Sequence, residues 1–600
     1  MELCLRIVQF KFSSHLEALL SDAFTKTELN QNITSLYSPP MTLIPITFAG
    51  VCLFFSPPLA GTAPSDIAQV KFLGAYSSGL FNESVCEIPA WSPDSKRLYV
   101  TNSAQGLSMF DISDQANPLW ISMTRQFGIT SVATYGNLVA MCWIPKSKEV
   151  QGEVRFFDLA MKQIGAIKVG FGPDMLTFTP DGKTLLVANE AEPSDDGAED
   201  PAGSISVIDL SQGVEKATLR NASFDAFESR ATELRAAGVH APMPGRSFVQ
   251  QLEPEYIAVS EDGTRAFITL QEANALAVLD IVAAKITAIL PVGLKDFSAA
   301  GVGLDASDKE NRTTISPWPI RGMYQPDTVA CFKCDGQEYL VTANEGESFE
   351  YPFYNETQRV SKLKNSKDNT KPALDATRVP LSAEGEDGHS QSDLLKSDAI
   401  GRLEVSEACG DTDQDGDYDD LVCFGARSAS IWRIVPATGE AQTRIELTWD
   451  SGSQMERTLR DRMPLAFNAD NRENSSQDDR SDARGPEPEG VAVAMISDHR
   501  IIFVGLERAG GVMMWDATNP TKPIFAGYFN RRDTSIDLTV DVDGDKVPDK
   551  LADVGDLGPE GLLVIPASSS PTKRPILVVC NEVSGTLSLF DITVAEVADK

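Results

Sequence analysis

The stretch FTPDGKTLLVANE, from Phe178 to Glu190, contains the pattern that decides the fold. A Pro-Asp-Gly turn comes first, because proline presets φ and glycine permits the positive φ of a tight turn. The run TLLVAN that follows is almost wholly apolar, which is typical of a strand packed on both faces. The stretch therefore predicts a tight turn, then a buried strand, then an acidic residue where the strand ends.

Similar stretches recur along the chain, each with a turn, an apolar run, a polar break and a second run. They are WSPDSKRLYVTNSAQGLSMFDI, VSEDGTRAFITLQEANALAVLDI, CFKCDGQEYLVTANEGES, MISDHRIIFVGLERAGGVMMWDA and RPILVVCNEVSGTLSLFDI, with two looser copies, SVATYGNLVAMCWIPKSKEVQGEVRFFDL and LVCFGARSASIWRIVPATGE. Repeats of this size, built from short strands, indicate a β-propeller or a solenoid. We predict an all-β protein, a closed β-propeller ring of seven or eight four-stranded antiparallel blades.

The propeller is expected to cover residues 64–600. Two polar segments, at about 349–396 and 456–487, break the rhythm of the repeats and are expected to be insertions, the second beginning with a short helix. The strand-like stretch Ile67–Tyr76 precedes the first repeat and is expected to complete the last blade.

Residues 1–63 are expected to lie outside the propeller as an N-terminal extension. Its apolar run Leu43–Phe55 has the length of a signal peptide and is too short to span a bilayer. Small residues that would suit cleavage follow at Ala60, Gly61 and Ala63. We therefore expect Met41 to be the working start and the mature protein to be secreted, either extracellular or periplasmic.

The charge balance narrows the function classes. The chain has 86 acidic and 52 basic residues, a formal net charge of −34. This excludes the basic face that a nucleic-acid binder needs and fits a cation-binding or strongly solvated extracellular surface. Six Asn-x-Ser/Thr sequons would allow glycosylation of an exported chain: Asn32, Asn82, Asn221, Asn311, Asn355 and Asn474.

The stretch GDTDQDGDYDDLVCF, from Gly410 to Phe424, has the spacing of an oxygen-ligated calcium loop. Carboxylates at loop positions 1, 3 and 5 followed by glycine at position 6 suit calcium. The candidate metal ligands are Asp411, Asp413, Asp415, Asp417 and Asp419. Because Val422 stands at position 12 and a strand follows, this is not an EF-hand. The alternative is a solvated acidic turn.

A second acidic run, DVDGDKVPD, resembles the same kind of loop. Its candidate ligands are Asp541, Asp543, Asp545 and Asp549. Lys546 stands where glycine is usual, so this is predicted to be the weaker calcium site.

Two further sets of acids recur in the repeats. One set precedes the first apolar run, often after proline: Glu87, Asp174, Glu255, Asp327, Glu489 and Glu560. The other follows the second run, often as Asn-Glu: Glu190, Glu272, Glu345, Glu507 and Glu582. In a propeller blade the first strand starts and the second ends on the same face, so both sets should meet near one channel mouth. Crowded carboxylates need a cation or protons, which predicts a cation-loaded face; the alternative is that each acid caps its own turn.

Two repeats depart from the acidic pattern. Trp143 and Arg427 stand near the positions where the second set would place glutamate, so the ring of acids is expected to be incomplete.

Several long motifs together resemble the choice-of-anchor I domain family, which includes mesenchyme-specific cell surface glycoproteins. They are VTANEGES, GDTDQDGDYDDLVCFGARSASIW, GPEPEGVAVA, FVGLERAGGVMMWDATNP and DLGPEGLLVIPA. The resemblance covers about Val70 to Ile592 and implies a secreted or surface-displayed β-propeller. It brings no catalytic residues with it. No sorting tail follows the last repeat, so we expect no transmembrane anchor in this chain.

Two functions fit these features. The first is an exported, calcium-stabilised binding or adhesion module without enzymatic activity, whose partner is a protein or a glycan. The alternative is a calcium-dependent phosphoesterase of the β-propeller phytase type, in which bound cations hold phosphate and activate water. The alternative needs basic residues beside the acids, and Arg321, Arg402 and Arg508 are the candidates.

Overall fold

The computed structural model describes residues 66–594 except 311, 380–382, 385–389, 392, 438–441, 543 and 545. The predictions for residues 1–63 fall outside the described residues.

The described chain contains seven four-stranded antiparallel sheets, numbered I to VII in chain order. Strand β1 (Ala68–Ser77) precedes sheet I in the chain but belongs to sheet VII. Sheet I contains β2 (Val85–Ser92), β3 (Arg97–Asn102), β4 (Gly106–Asp111) and β5 (Leu119–Arg125). Sheet II contains β6 (Ile129–Tyr135), β7 (Leu138–Trp143), β8 (Glu153–Phe157) and β9 (Gln163–Lys168). Sheet III contains β10 (Pro173–Phe178), β11 (Thr184–Asn189), β12 (Ser204–Asp209) and β13 (Thr218–Ser223). Sheet IV contains β14 (Pro254–Val259), β15 (Arg265–Leu270), β16 (Ala275–Asp280) and β17 (Lys285–Pro291).

Sheet V is interrupted by an insertion, and sheets VI and VII follow it. Nine short strands belong to no four-stranded sheet: β18 (Leu294–Asp296), β19 (Arg321–Met323), β22 (Glu350–Tyr351), β23 (Tyr354–Asn355), β24 (Thr357–Arg359), β25 (Ala383–Glu384), β26 (Ser390–Gln391), β27 (Glu404–Ser406) and β28 (Val422–Cys423). Sheet V contains β20 (Val329–Cys334), β21 (Gln337–Asn344), β29 (Ser428–Val435) and β30 (Arg444–Asp450). Sheet VI contains β31 (Pro488–Ile496), β32 (His499–Leu506), β33 (Val512–Asp516) and β34 (Ile524–Phe529). Sheet VII contains β35 (Pro559–Ile565), β36 (Ile576–Asn581) and β37 (Thr586–Val594), with β1 as its fourth strand.

The two ends of the described chain meet in sheet VII. Strand β1 pairs antiparallel with β37 from Ala68 opposite Val594 to Ser77 opposite Thr586. This pairing agrees with the prediction that the stretch Ile67–Tyr76 completes the last repeat.

Two stretches that were predicted to be separate repeats belong to one sheet. Strand β29, which lies in the stretch LVCFGARSASIWRIVPATGE, pairs with β21 from Asn344–Ser428 to Tyr339–Arg433. Both strands therefore belong to sheet V, and the interpretation of that stretch as a separate eighth repeat is wrong. Arg427 consequently precedes a third strand and does not end a second one.

The chain between β21 and β29 carries a small substructure of its own. Strands β24, β27 and β28 join β19 and β18 in a five-stranded sheet of order β18-β19-β28-β27-β24, in which β19 and β28 are parallel. The side chains beneath it form a separate apolar core that includes Phe297, Trp318 and Val405. The predicted insertion at 349–396 is thus part of a longer structured segment.

Helices are few and short in the described ranges. They are α1 (Ala231–Ala236), α2 (Gln454–Arg462) and α3 (Leu551–Val554), with 3₁₀ turns at Val214–Lys216, Asp225–Arg230, Val249–Gln251, Val360–Lys362, Ile400–Arg402 and Pro464–Ala466. Helix α2 lies where the second insertion is predicted to begin with a helix. No helix among these is long and apolar enough to cross a bilayer.

Each sheet shares an apolar core with its neighbours. Sheets III and IV pack through residues such as Ile205 and Ile268, and sheets V and VI through residues such as Ile431 and Trp515. Sheet VII packs on sheet I, because Ile576 and Leu589 lie in one core with Val85, Leu98 and Phe110. Middle strands are therefore buried on both faces, and each fully buried large apolar side chain contributes about 1.5–3 kcal/mol.

Gly74 in β1 offers a direct test of this packing. A β-carbon at Gly74 would lie 2.4 Å from the carbonyl oxygens of Gln115 and Ala116, both backbone atoms. We expect Gly74→Val to lower the free energy of unfolding by roughly 1–3 kcal/mol, because overpacking displaces β1 although valine favours strands. Lys71→Val, at an exposed position of the same strand, is the control. Equal denaturation midpoints for the two variants would contradict the placement of β1.

Candidate functional site

The two predicted sets of acids lie at the same ends of their sheets. Antiparallel pairing sets Pro254 opposite Leu270, Pro488 opposite Leu506 and Pro559 opposite Asn581. Each proline is followed directly by an acid of the first set, and an acid of the second set comes one residue after Leu506 and Asn581 and two residues after Leu270. We call the eleven carboxylates together the acidic edge. They are Glu87, Asp174, Glu190, Glu255, Glu272, Asp327, Glu345, Glu489, Glu507, Glu560 and Glu582.

Most acids of the first set sit in a β-bulge. The register between first and second strands shifts across Glu87, Asp174, Glu255, Glu489 and Glu560. A bulge leaves residues unpaired and re-aims their side chains. Sheet II has the same shift but carries Thr130 there, and Asp327 precedes its strand without a shift. In a regular strand, side chains point alternately to the two faces of the sheet. The bulges therefore change the direction in which these carboxylates point.

First strands of successive sheets contact one another, so these acids come close together. A cavity of about 160 Å³ is lined by Glu87, Asp174 and Glu560. Carboxylate oxygens of Asp327, Glu345 and Glu489 lie within 4.8 Å of one another. The acidic edge is thus a group of neighbouring carboxylates drawn from six sheets.

Arginines pair with some of the carboxylates at and beside the acidic edge of sheets V and VI. Glu487, fully buried, accepts hydrogen bonds from Arg480 (Nε to Oε1, 2.9 Å) and from Arg508 (Nε to Oε2, 3.1 Å). Arg508 also pairs with Glu507 at 3.1 Å. Arg484 pairs with Glu347 and lies 3.9 Å from Glu345. Burial alone would raise the pKa of Glu487, but these three arginines hold it below its usual value.

The carboxylates of the acidic edge itself have raised pKa values, also in sheets V and VI: burial raises the pKa of Glu507 to about 8 although Arg508 lowers it, and raises that of Glu345 well above its ordinary value although Arg484 lowers it. Burial, together with the negative charges of neighbouring acids, raises the pKa of Glu87 and of Asp174 to about 7. Burial also raises the pKa of Glu272 to about 8. For Glu190 and Glu255 burial and the neighbouring acids raise the pKa well above its ordinary value. Without a bound cation, several of these groups therefore hold protons near neutral pH.

Sequence reasoning missed four residues of this region. Glu253 and Glu487 precede the prolines of the pattern Glu-Pro-Glu, so a search for acids on both sides of proline would have found them. Arg480 and Arg484 lie in the segment 456–487, and nothing in their local sequence indicates which carboxylates they reach.

The asparagine of the Asn-Glu pairs has a structural role. Asn189 is fully buried; its Oδ1 accepts the backbone N–H of Gly170 at 2.9 Å and its Nδ2 donates to Ser206 Oγ at 3.1 Å. Asn344 donates to Ser428 and Ser430 in the same way. These bonds fix the end of the second strand and so position the glutamate that follows.

The loop Asp411–Asp419 brings three of its five candidate ligands together. Carboxylate oxygens of Asp411, Asp413 and Asp419 lie within 4.8 Å of one another, a group to which Asp415 and Asp417 do not belong. Asp419 is buried, accepts the Thr412 N–H at 2.8 Å and pairs with Arg378 at 2.8 Å. The Thr412 hydroxyl bond and Arg378 lower the pKa of Asp419 to about 2.

This loop is docked on the inserted segment. The backbone N–H of Ser366 donates to Gly416 O at 2.7 Å, and Leu374 forms a β-bridge with Tyr418. Gly416 has φ of +110°, and a β-carbon there would lie 2.7 Å from Asn365 Oδ1. Glycine is therefore required at position 6 both for the turn and for the close approach.

The second acidic loop is only partly described. Asp541 accepts the backbone N–H of Gly544 at 2.7 Å and of Lys546 at 2.9 Å, and Asp549 accepts that of Val542 at 3.2 Å. Lys546 adopts φ of +70°, the conformation for which glycine is usual. Asp543 and Asp545 lie outside the described residues.

The three candidate arginines of the phosphoesterase hypothesis are spread apart. Arg321 pairs with Asp420 at 3.2 Å, and Arg402 pairs with Asp308 and Asp482. Arg508 alone lies at the acidic edge, where Glu487 and Glu507 hold it. The geometry does not gather these arginines around one phosphate-sized position.

The raised pKa values predict how stability depends on pH in the absence of divalent cations. The carboxyl of Glu87 titrates at 4.5 in its reference state and at about 7 in the fold, so the folded state holds its proton more tightly. The free energy of unfolding should therefore fall as pH rises from 4.5 to about 7, by at most about 1.4 kcal/mol per pH unit for each such group.

Denaturant unfolding in chelator across this range measures the effect. Glu87→Gln should reduce the fall by about one group's share, while Glu215→Gln, at an exposed position, should not. A flat profile in the parent protein would show that these carboxyls do not titrate in this window.

Comparison with known proteins gives both a family and relatives. The profile of the choice-of-anchor I domain matches residues 87–520, well over half of the chain. Gigasin-3a of Magallana gigas is 30% identical over 205 residues, which are 33% of this chain and 66% of that protein. Mesenchyme-specific cell surface glycoprotein of Strongylocentrotus purpuratus is 27% identical over 343 residues, 51% of this chain and 41% of that protein. The chain thus spans less than two thirds of either relative.

Solved structures show only a distant likeness. Hydrazine synthase of Kuenenia stuttgartiensis has a TM-score of 0.40 at 13% identity, covering 86% of this chain and 97% of that one. The β-propeller domain of Myceliophteria thermophila Cps50 (Swd1) has a TM-score of 0.40 at 7% identity, covering 88% and 100%. These scores are too low to carry an argument. The match of the family profile is sufficient by itself: the chain belongs to the choice-of-anchor I domain family.

Proposed function

We propose that the seven sheets are the blades of one closed β-propeller. The contacts between first strands support this, since each first strand touches that of the next sheet and β35 touches β2. The shared core of sheets VII and I supports it too. In such a ring β1 joins the two chain ends within one blade, and the acidic edge lines one mouth of the central channel.

The protein acts outside the cell or on its surface as a non-enzymatic binding or adhesion module, with a protein or a glycan as its partner. Family membership is the observation that carries this proposal, and the name of the sea urchin relative points to the cell surface. Three sequon asparagines, Asn82, Asn221 and Asn355, are exposed, as sugar attachment requires.

Export and adhesion are measured on the full chain. We expect a C-terminally tagged protein, expressed in eukaryotic cells, to be found in the medium or to be stained on unpermeabilised cells. Beads coated with the purified protein should then attach to cells or to immobilised glycans more than beads coated with heat-denatured protein. Retention in the cytosol would contradict export, and equal attachment of both bead types would contradict a binding function.

Calcium stabilises the fold through the loop Asp411–Asp419. The grouping of Asp411, Asp413 and Asp419 within 4.8 Å supports this proposal, because calcium takes flexible sets of oxygen ligands. Arg378 offsets only part of the negative charge of the loop. Since the loop is hydrogen-bonded to the inserted segment and directly precedes β28, fraying of the loop would spread into the five-stranded sheet.

Calcium should therefore raise the unfolding temperature, and Asp413→Ala should abolish most of this shift. A ligand that binds the native state alone stabilises it by about 2.7 kcal/mol at a hundredfold excess over Kd. Thermal melting with calcium and with chelator measures the shift. Asp417→Ala is the matched control, since it lies in the same loop outside the three-carboxylate group. If chelation leaves the parent's melting curve unchanged, the loop is a solvated acidic turn.

A further inference from the structure

Four carboxylates at or beside one part of the acidic edge form no ion pair with a described residue. Glu190, Glu253, Glu255 and Glu272, which we call the sheet III–IV carboxylates, lie at the ends of β11, β14 and β15. Glu253 is 1% exposed and Glu272 is 7% exposed. Pro254, which lies between Glu253 and Glu255, pairs with Leu270, two residues before Glu272, and β14 contacts β11, at whose end Glu190 lies. The four side chains therefore start from neighbouring backbone positions.

Three carboxylate oxygens of this group are buried without any hydrogen bond. They are Oε1 of Glu253, Oε2 of Glu255 and Oε2 of Glu272. Among the described residues, the one donor to these carboxylates from another residue is the Tyr351 hydroxyl, which donates to Glu253 Oε2 at 2.8 Å. Buried polar groups in proteins almost always have a hydrogen-bond partner, and burying a carboxylate without one costs free energy. Each of these oxygens is therefore a candidate ligand atom for a proton or a cation.

The neighbouring carboxylates of sheets V and VI include glutamates that form ion pairs with arginines. There, Arg480, Arg484 and Arg508 balance the glutamates. None of the sheet III–IV carboxylates forms an ion pair with a residue that the structure describes. Arginine ion pairs thus occur at one part of the edge and are not found for the sheet III–IV carboxylates among the described residues, although the charge of Arg484 also acts on Glu272.

A neighbouring hairpin covers this part of the edge. Tyr351 stacks on Phe353 in the β22–β23 hairpin at a centroid distance of 5.5 Å, and Arg246 lies over Phe353 at 5.1 Å. This hairpin shields Glu253 from bulk water.

We propose that the sheet III–IV carboxylates bind one hard divalent cation of the calcium class, with Glu253, Glu255 and Glu272 as its protein ligands. Carboxylate oxygens without His or Cys select calcium or magnesium over zinc. Calcium fits better because it accepts irregular sets of six to eight oxygens and retains water. The ligand oxygens do not already lie as close together as those of Asp327, Glu345 and Glu489, so binding draws the glutamate side chains inward. This site is separate from the loop Asp411–Asp419 and does not depend on it.

Calcium titration by calorimetry in an Asp413→Ala background tests the site. Adding Glu272→Gln, which keeps the shape of the side chain and removes its charge, should abolish one bound ion per chain. Adding Glu215→Gln instead, at an exposed position, should leave the number of ions unchanged. Equal stoichiometry in the two double variants would overturn the proposal.

Two further readouts separate a metal ligand from a residue that only supports the fold. In chelator, Glu272→Gln should melt at a higher temperature than the control, because the amide is neutral without taking up a proton or a cation, and the difference should shrink in calcium. Terbium in the site should be sensitised by the adjacent tyrosine, and Tyr351→Phe should reduce this emission while the stoichiometry stays the same. If Asp413→Ala alone binds as many ions as the parent, the loop proposal fails while the Glu272 result still decides this one.

Discussion

Antiparallel pairing is the constraint on which the rest of this structure depends. In each sheet the first strand starts and the second strand ends at the same edge, so their flanking residues lie side by side. Because first strands of successive sheets contact one another, this arrangement is repeated from sheet to sheet. An acid at either position is therefore forced towards the acids of the neighbouring sheets. Bulges at the first position turn the side chains out of the strand alternation and increase the crowding.

The fold balances the resulting repulsion in two ways. On sheets V and VI, arginines from the segment before β31 reach the glutamates, which ties an insertion to the core of the sheets. On sheets III and IV, buried oxygens of Glu253, Glu255 and Glu272 have no hydrogen-bond partner, so a proton or a cation has to take that place. A protein exported into a calcium-rich medium would fill such a site there, which would couple its stability to its location.

Local patterns carried much of the fold. The turn-and-run repeats located the second strand of each sheet, and the strand-like Ile67–Tyr76 indicated the partner of β37. The repeat count failed at sheet V, because about eighty residues separate β21 from β29 and each half resembles a repeat by itself. Such long-range pairing depends on packing that a local pattern does not contain.

The candidate site, like the fold, was predictable only in part from the sequence. The periodic positions of Glu190, Glu272 and Glu345 follow from strand ends, so the sequence located them. Arg480 and Arg484 reach their partners through the tertiary path of an irregular segment, which no spacing rule describes. Glu253 falls between these cases, since the pattern Glu-Pro-Glu is visible in the sequence while the Tyr351 hydroxyl that covers it comes from a distant hairpin.

The central claim, that a cation replaces the missing arginines on sheets III and IV, is tested most directly by anomalous diffraction from crystals grown in calcium and exchanged into terbium. The account predicts an anomalous peak bounded by Glu253, Glu255 and Glu272, distinct from any peak at Asp411–Asp419. Crystals that show terbium at the loop but none beside Glu272, at the same ion concentration, would contradict it and leave protons as the means by which these carboxylates are neutralised.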